Sequence, residues 1–157
     1  MPFLRLKGYD INNGVRLGMQ TVVDGVNQCS VLVVDDDRTI SRLIRYNLED
    51  KSTQIFEAAT GLECIRILRE AVIDLIVLDI RLPDFSGWGI LSLLRLTEAL
   101  RRIPVIMVSV EPPDSAMVAQ LRPDDYVQKP FDTRDLVVRI RKVIGSRPHA
   151  GGDDGIH

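Results

Sequence analysis

Apolar residues cluster in four short runs: Val31 to Val34, Leu75 to Leu78, Pro104 to Val110, and a weaker one at Tyr126 and Val127. Thr53 to Ala58 reads as a fifth extended stretch on its Thr, Ile and Phe content. The runs at 31, 75 and 104 do not alternate with polar residues, as expected of strands covered on both faces in a parallel sheet. Helical spacing fills the gaps. Ile40, Leu43, Ile44 and Leu48 form one stripe, Leu62, Ile65, Leu68 and Val72 a second, and Ile90, Leu91, Leu94 and Leu100 a less regular third. Ser115 to Leu121 predicts a short fourth helix. Leu136, Val137, Ile140, Val143 and Ile144 predict a fifth, starting at Asp132 and ending at Gly145. Five repeats of strand then helix predict an α/β fold: a doubly wound, five-stranded parallel sheet with right-handed crossovers and helices on both faces. In such sheets the site lies beyond the carboxyl ends of the strands, where the strand order reverses.

Composition narrows the class. With 157 residues, 45% hydrophobic content and a mean hydropathy of +0.05, the chain is sized for one domain with a buried core. Lys plus Arg total 20 against 22 for Asp plus Glu, and the net charge of −2 offers no global field toward nucleic acid or an anionic membrane. No apolar run approaches the ~18 residues of a membrane span. Residues 1 to 30 lack the basic start and apolar centre of a signal peptide, so a cytoplasmic protein is expected. Cys29 and Cys64 fall short of a disulfide framework or a zinc site, and Cys64 reads as core filling. The expected domain runs from 30 to 146. An extension of mixed polarity and no assigned role, 1–29, precedes it, and a flexible tail, 147–157, follows.

The chemistry sits at the strand ends. The first strand ends in Asp35, Asp36 and Asp37 and the third in Asp79, so two central parallel strands would gather three or four carboxylates in one small volume. Like charges that close need protons or a cation. Mg²⁺ answers that need, because it takes a couple of carboxylates and keeps its other positions for water and phosphate oxygens. The fourth strand ends at the Ser109 hydroxyl, and the fifth runs into Lys129-Pro130-Phe131. Hydroxyl, ammonium and metal together neutralise phosphoryl oxygens. Asp79, alone on the middle strand, is the candidate nucleophile, since carboxylates form acyl phosphates by in-line attack. Taken singly, each residue also reads as a helix cap or an exposed turn residue. Their occurrence together, at the ends of four strands in order, is what points to phosphoryl chemistry.

VLVVDDD (31–37), DLIVLDIRLPDFSG (74–87), PVIMVSVE (104–111) and DDYVQKPF (124–131) resemble the motifs of a response-regulator receiver domain of two-component signalling, across about Ser30 to Ser146. The resemblance implies the strand order 2-1-3-4-5. It implies that Asp79 accepts a phosphoryl group from the phosphohistidine of a sensor histidine kinase or phosphotransfer protein. Asp35, Asp36, Asp79 and the backbone carbonyl of Arg81 would hold Mg²⁺. Ser109 and Lys129 would each bind a phosphoryl oxygen, and Tyr126 would be the aromatic switch that follows Ser109, although a half-buried strand Tyr is an equally good reading of it. Arg38, Arg42 and Arg45 on the first helix would face the partner.

Several residues depart from the family pattern. Val110 stands where a small residue is common, which would restrict access to Asp79. Arg81 and Glu111 flank the site and could pair across its mouth. Arg122-Pro123 replaces the frequent Gly-Ala, and only 20 positions separate Ser109 from Lys129, so the fourth helix should be brief. Asp35-x-Asp37-x-Thr39 also fits the nucleophile motif of haloacid dehalogenase-type phosphatases, with Asp35 as nucleophile and Asp37 as acid/base. A degenerate receiver acting only as a binding module is a further alternative. For output, Arg139, Arg141 and Lys142 with Asp124 and Asp125 could supply the charges of a homodimer through the fourth helix, fifth strand and fifth helix. The residues after Ser146 are too few for an effector fold, so no direct nucleic-acid binding is expected of this chain.

Overall fold

A computed structural model describes the backbone of residues 3–7, 18–23 and 26–145 and the side chains of residues 28–145. The tail expected at 147–157 lies outside the described residues. Strands β1 (Phe3–Lys7), β2 (Gly18–Val23) and β3 (Val26–Asn27) form an antiparallel sheet in the order β1-β2-β3. The sequence pattern assigned no elements here, because alternation over five residues is too short to stand out. One residue later the main unit begins: β4 (Cys29–Val34), α1 (Arg38–Leu48), β5 (Thr53–Ala58), α2 (Gly61–Glu70), β6 (Leu75–Asp79), α3 (Gly87–Leu96), β7 (Val105–Ser109), α4 (Ser115–Leu121), β8 (Asp125–Gln128) and α5 (Thr133–Gly145).

The five strands β4 to β8 pair in parallel in the order β5-β4-β6-β7-β8, the expected 2-1-3-4-5 arrangement. Both faces are covered, which explains the uninterrupted apolar runs. Leu32, Val34, Ile76, Leu78, Val105 and Met107 pack against Cys64 and Leu68 of α2, Ile90, Leu91 and Leu94 of α3, and Leu121 of α4. On the other face Val31, Val33, Leu75, Val77, Ile106 and Val108 meet Ile44 and Leu48 of α1 and Leu136 and Ile140 of α5. Burying each such side chain contributes about 1.5–3 kcal/mol before the entropy of ordering is subtracted. Cys64 is fully buried, and burial, with a smaller contribution from the Asp84 charge, pushes its thiol up to about 12. It fills the core as a neutral group.

Local signals place the helix ends. Asp37, Thr60, Ser86 and Asp114 cap α1 to α4 by accepting first-turn amides, and Asp132 accepts from Arg134 N at 2.7 Å to start α5. The third stripe runs to Leu100, but α3 stops at Leu96. Thr97 Oγ1 bonds the Leu93 carbonyl at 2.7 Å, and the following turn folds Leu100 back onto the core. The second stripe likewise overshoots, since α2 ends at Glu70 rather than Val72. The brief α4 ends on Arg122 in the left-handed region, φ 49°. Arg95 holds that corner, donating to the carbonyls of Leu121 at 3.1 Å and Arg122 at 3.2 Å. No described helix is long and apolar enough to cross a membrane.

Candidate functional site

The chain leaves β4 toward the β5 edge and returns to β6, so the strand order reverses between the carboxyl ends of β4 and β6. Asp35 follows the first of these strands and Asp79 ends the second, and both are buried. Carboxylate oxygens of Asp35, Asp36 and Asp79 lie within 4.8 Å of one another. Lys129, just past β8, reaches in from the other side: its Nζ donates to Asp35 Oδ2 at 2.9 Å and Asp79 Oδ2 at 3.1 Å. Its backbone N–H is anchored on the Ser109 carbonyl at 2.7 Å, and the Lys129-Pro130 peptide is cis.

Electrostatics follow from this packing. Burial alone would lower the Lys129 pKa, but hydrogen bonds and charges from Asp35 and Asp79 outweigh it and hold the ammonium above its ordinary value. For Asp35 burial prevails: it raises the carboxyl pKa, and the bonds from Lys129 and the Asp37 amide only partly offset that. Three carboxylates around one ammonium leave negative charge uncompensated, the condition that a divalent cation with oxygen ligands meets.

The remaining candidates surround this centre at graded distance. Ser109 ends β7 beside Asp79 and is fully buried, with its Oγ accepting from the Glu111 amide at 3.2 Å. Val110 is exposed at the mouth. Arg81 Nε donates to Glu111 Oε1 at 2.7 Å, so the pairing across the mouth is present. Tyr126 on β8 lies farther out. Its hydroxyl donates to the Glu111 carbonyl at 2.8 Å, and its ring stacks on Trp88 with centroids 6.2 Å apart. Burial chiefly raises the Tyr126 pKa. Asp37, required as acid/base in the phosphatase reading, instead accepts from Thr39 N at 2.9 Å as the cap of α1.

A profile of the response regulator receiver domain matches residues 31–141. The chain belongs to the response regulator receiver domain family. The receiver is 35% identical over 116 residues to the phosphate regulon transcriptional regulatory protein PhoB of Rhizobium meliloti, covering 73% of this chain and 51% of that protein. It is 37% identical over 116 residues to the transcriptional regulatory protein KdpE of Mycobacterium tuberculosis, covering 73% and 50%. The chain thus spans about half the length of these curated relatives. Among solved structures, the CheY-like receiver domain protein of Methanospirillum hungatei superposes with a TM-score of 0.69 at 26% identity, over 76% of this chain and 95% of that one. The BeF3-activated DrrB receiver domain does so with 0.66 at 27% identity, over 75% and 98%. Receiver domains of this family are signalling domains of two-component response regulators rather than classical enzymes. Receiver domains bind Mg²⁺ through an acidic pocket, and the aspartate cluster here could hold a metal.

Two residues that support the receiver's site escaped the sequence reading as individuals. Gly87 opens α3 where a Cβ would lie 2.2 Å from the Asp79 carbonyl oxygen, so only glycine lets the helix start against the strand end. Asp84 binds the first turn of α2, 22 and 23 residues away in sequence. Both lie inside the DIRLPDFSG motif, but nothing in the string separates them from ordinary turn residues.

Proposed function

We propose that this receiver is a phosphorylated switch in a two-component relay, with Asp79 as the acceptor and a sensor histidine kinase or phosphotransfer protein as donor. The observation that carries this reading is Lys129 bridging Asp35 and Asp79, with Asp36 beside them, at the strand-order reversal. Asp35, Asp36, Asp79 and the Arg81 carbonyl would hold Mg²⁺, which supplies positive charge to the phosphoryl oxygens and the attacking carboxylate. An Asp79 oxygen attacks phosphorus in line, the P–N bond to the donor histidine breaks, and the imidazole takes a proton as it leaves. Lys129 then pairs with a phosphoryl oxygen. Ser109 exchanges its bond from the Glu111 amide for a bond to the phosphoryl group, which loosens Glu111 and frees the Tyr126 hydroxyl to move.

Output follows on the α4-β8-α5 face. Arg139 now pairs within the chain, to both Asp125 oxygens at 2.9 and 3.0 Å and to Asp135 at 3.0 Å. In a homodimer through this face the same groups would exchange across the two copies. The unit that switches is residues 30–146, acting in the cytoplasm.

Beryllofluoride, which mimics an acyl phosphate, tests the site without turnover. Trp88, the chain's one tryptophan, stacks on Tyr126 and reports on it. Beryllofluoride with Mg²⁺ should change Trp88 emission in the wild type and leave Asp79→Asn unchanged. An equal response from both proteins would remove Asp79 from the role.

A further inference from the structure

The segment between Asp79 and α3 carries the Arg81 carbonyl and is held at several levels. At its base Gly87 N–H bonds the Ile80 carbonyl at 2.7 Å, which sets Arg81 opposite Ser86 in an antiparallel β-bridge. The Arg81 side chain ties one flank to Glu111. The tip is tied by Asp84, whose Oδ1 accepts from Gly61 N at 2.8 Å and Phe85 N at 2.9 Å and whose Oδ2 accepts from Leu62 N at 2.9 Å. The α2 helix also has a cap of its own, with Thr60 Oγ1 accepting from Glu63 N at 3.1 Å and Glu63 Oε2 accepting from Ala59 N, just before the cap residue, at 2.7 Å. Asp84 takes the first-turn amides of Gly61 and Leu62 that this cap leaves over, so its bonds serve the helix start and the loop tip together. The tip also fits closely there, since a Cβ on Gly61 would lie 2.6 Å from the Phe85 ring.

We infer that Asp84 is a positioning residue for the Mg²⁺ site: by pinning the tip of the β6–α3 loop to the amino end of α2, it holds the Arg81 carbonyl in place beside Asp35, Asp36 and Asp79. This rests on the reading of those groups as the metal site. Groups that orient a metal ligand without touching the metal typically affect affinity by about 10- to 100-fold.

The test is Mg²⁺ titration of the full chain, followed by Trp88 emission and checked by calorimetry, alongside thermal unfolding of each variant. Asp84→Ala should weaken Mg²⁺ binding by about 10-fold. Asp84→Asn keeps one carbonyl oxygen and should fall between it and the wild type. Asp50→Ala is the structural control, because Asp50 accepts from Ser52 in the turn before β5, at the opposite end of the sheet. It should lower stability and leave Mg²⁺ affinity unchanged. Wild-type affinity in Asp84→Ala overturns the inference, as does an equal loss in Asp50→Ala. A wild type that binds no Mg²⁺, or an Asp79→Asn variant that binds it as well as the wild type, overturns the metal-site reading itself.

Discussion

At the scale of single residues, the centre and the rim of the site differ in kind. Lys129 is surrounded by carboxylates, and its removal would leave Asp35 and Asp79 buried and facing each other uncompensated. Because its folded pKa is raised, its ion pairing stabilises the fold below the ordinary lysine value and is lost only as pH rises through the raised one. The Arg81–Glu111 pair at the rim is exposed, and such pairs are worth about 0–1 kcal/mol. Its weight is in placing Glu111, which accepts from Tyr126 and donates to Ser109. Val110 projects at the same mouth. If Val110 narrows the approach to Asp79, Val110→Ala should speed labelling by acetyl phosphate several-fold while leaving the Mg²⁺ affinity unchanged. Labelling rates against donor concentration check this, and a rapid wild type that Val110→Ala does not improve would dismiss the barrier. The residue types at the site were legible because each strand ends in a distinctive polar residue. The bonds between them were not, since Lys129 and Asp35 are 94 positions apart.

At the scale of elements, periodicity reports burial rather than helix length. Leu100 continues the α3 stripe because the turn after Thr97 returns it to the same core, so the pattern outlasts the helix. Among the amino ends, that of α5 was read from Asp132, whereas the caps Asp37 and Asp114 emerge only in the structure. The span of α4, Ser115–Leu121, matches the expected short helix, but the conformation of the residue that ends it was not readable. Arg122 takes a left-handed conformation usually left to glycine, at a cost of roughly 1–2 kcal/mol for a residue with a Cβ. Arg122→Gly should therefore stabilise the domain by about 0.5–1 kcal/mol, since the Arg95 bond is to the backbone carbonyl and survives the change. Urea unfolding checks the gain, and a loss of stability would mean that the Arg122 side chain makes a larger contribution of its own.

At the scale of the whole molecule, a near-neutral chain conceals a polarised one. The acidic pocket lies at the carboxyl ends of the strands, and α5 presents Arg139 and Lys142 beside Asp124 and Asp125 at the β8 edge, while Arg141 faces Asp50 before β5. Phosphorylation at the first should be felt at the second through Ser109, Glu111 and Tyr126, which run from one to the other. The parallel sheet and the family could be read from the order of motifs alone. The β1–β3 sheet could not, since nothing in its short strands exceeds what a loop of the same composition would show. The most direct measurement is the intact mass of the wild type and Asp79→Asn after incubation with phosphoramidate, with Mg²⁺ and with the metal chelated. One phosphoryl group should add to the wild type in Mg²⁺ only, and none to Asp79→Asn. A phosphoryl group on Asp79→Asn, or undiminished labelling of the wild type without metal, would contradict the assignment of this pocket as a Mg²⁺-dependent acceptor site.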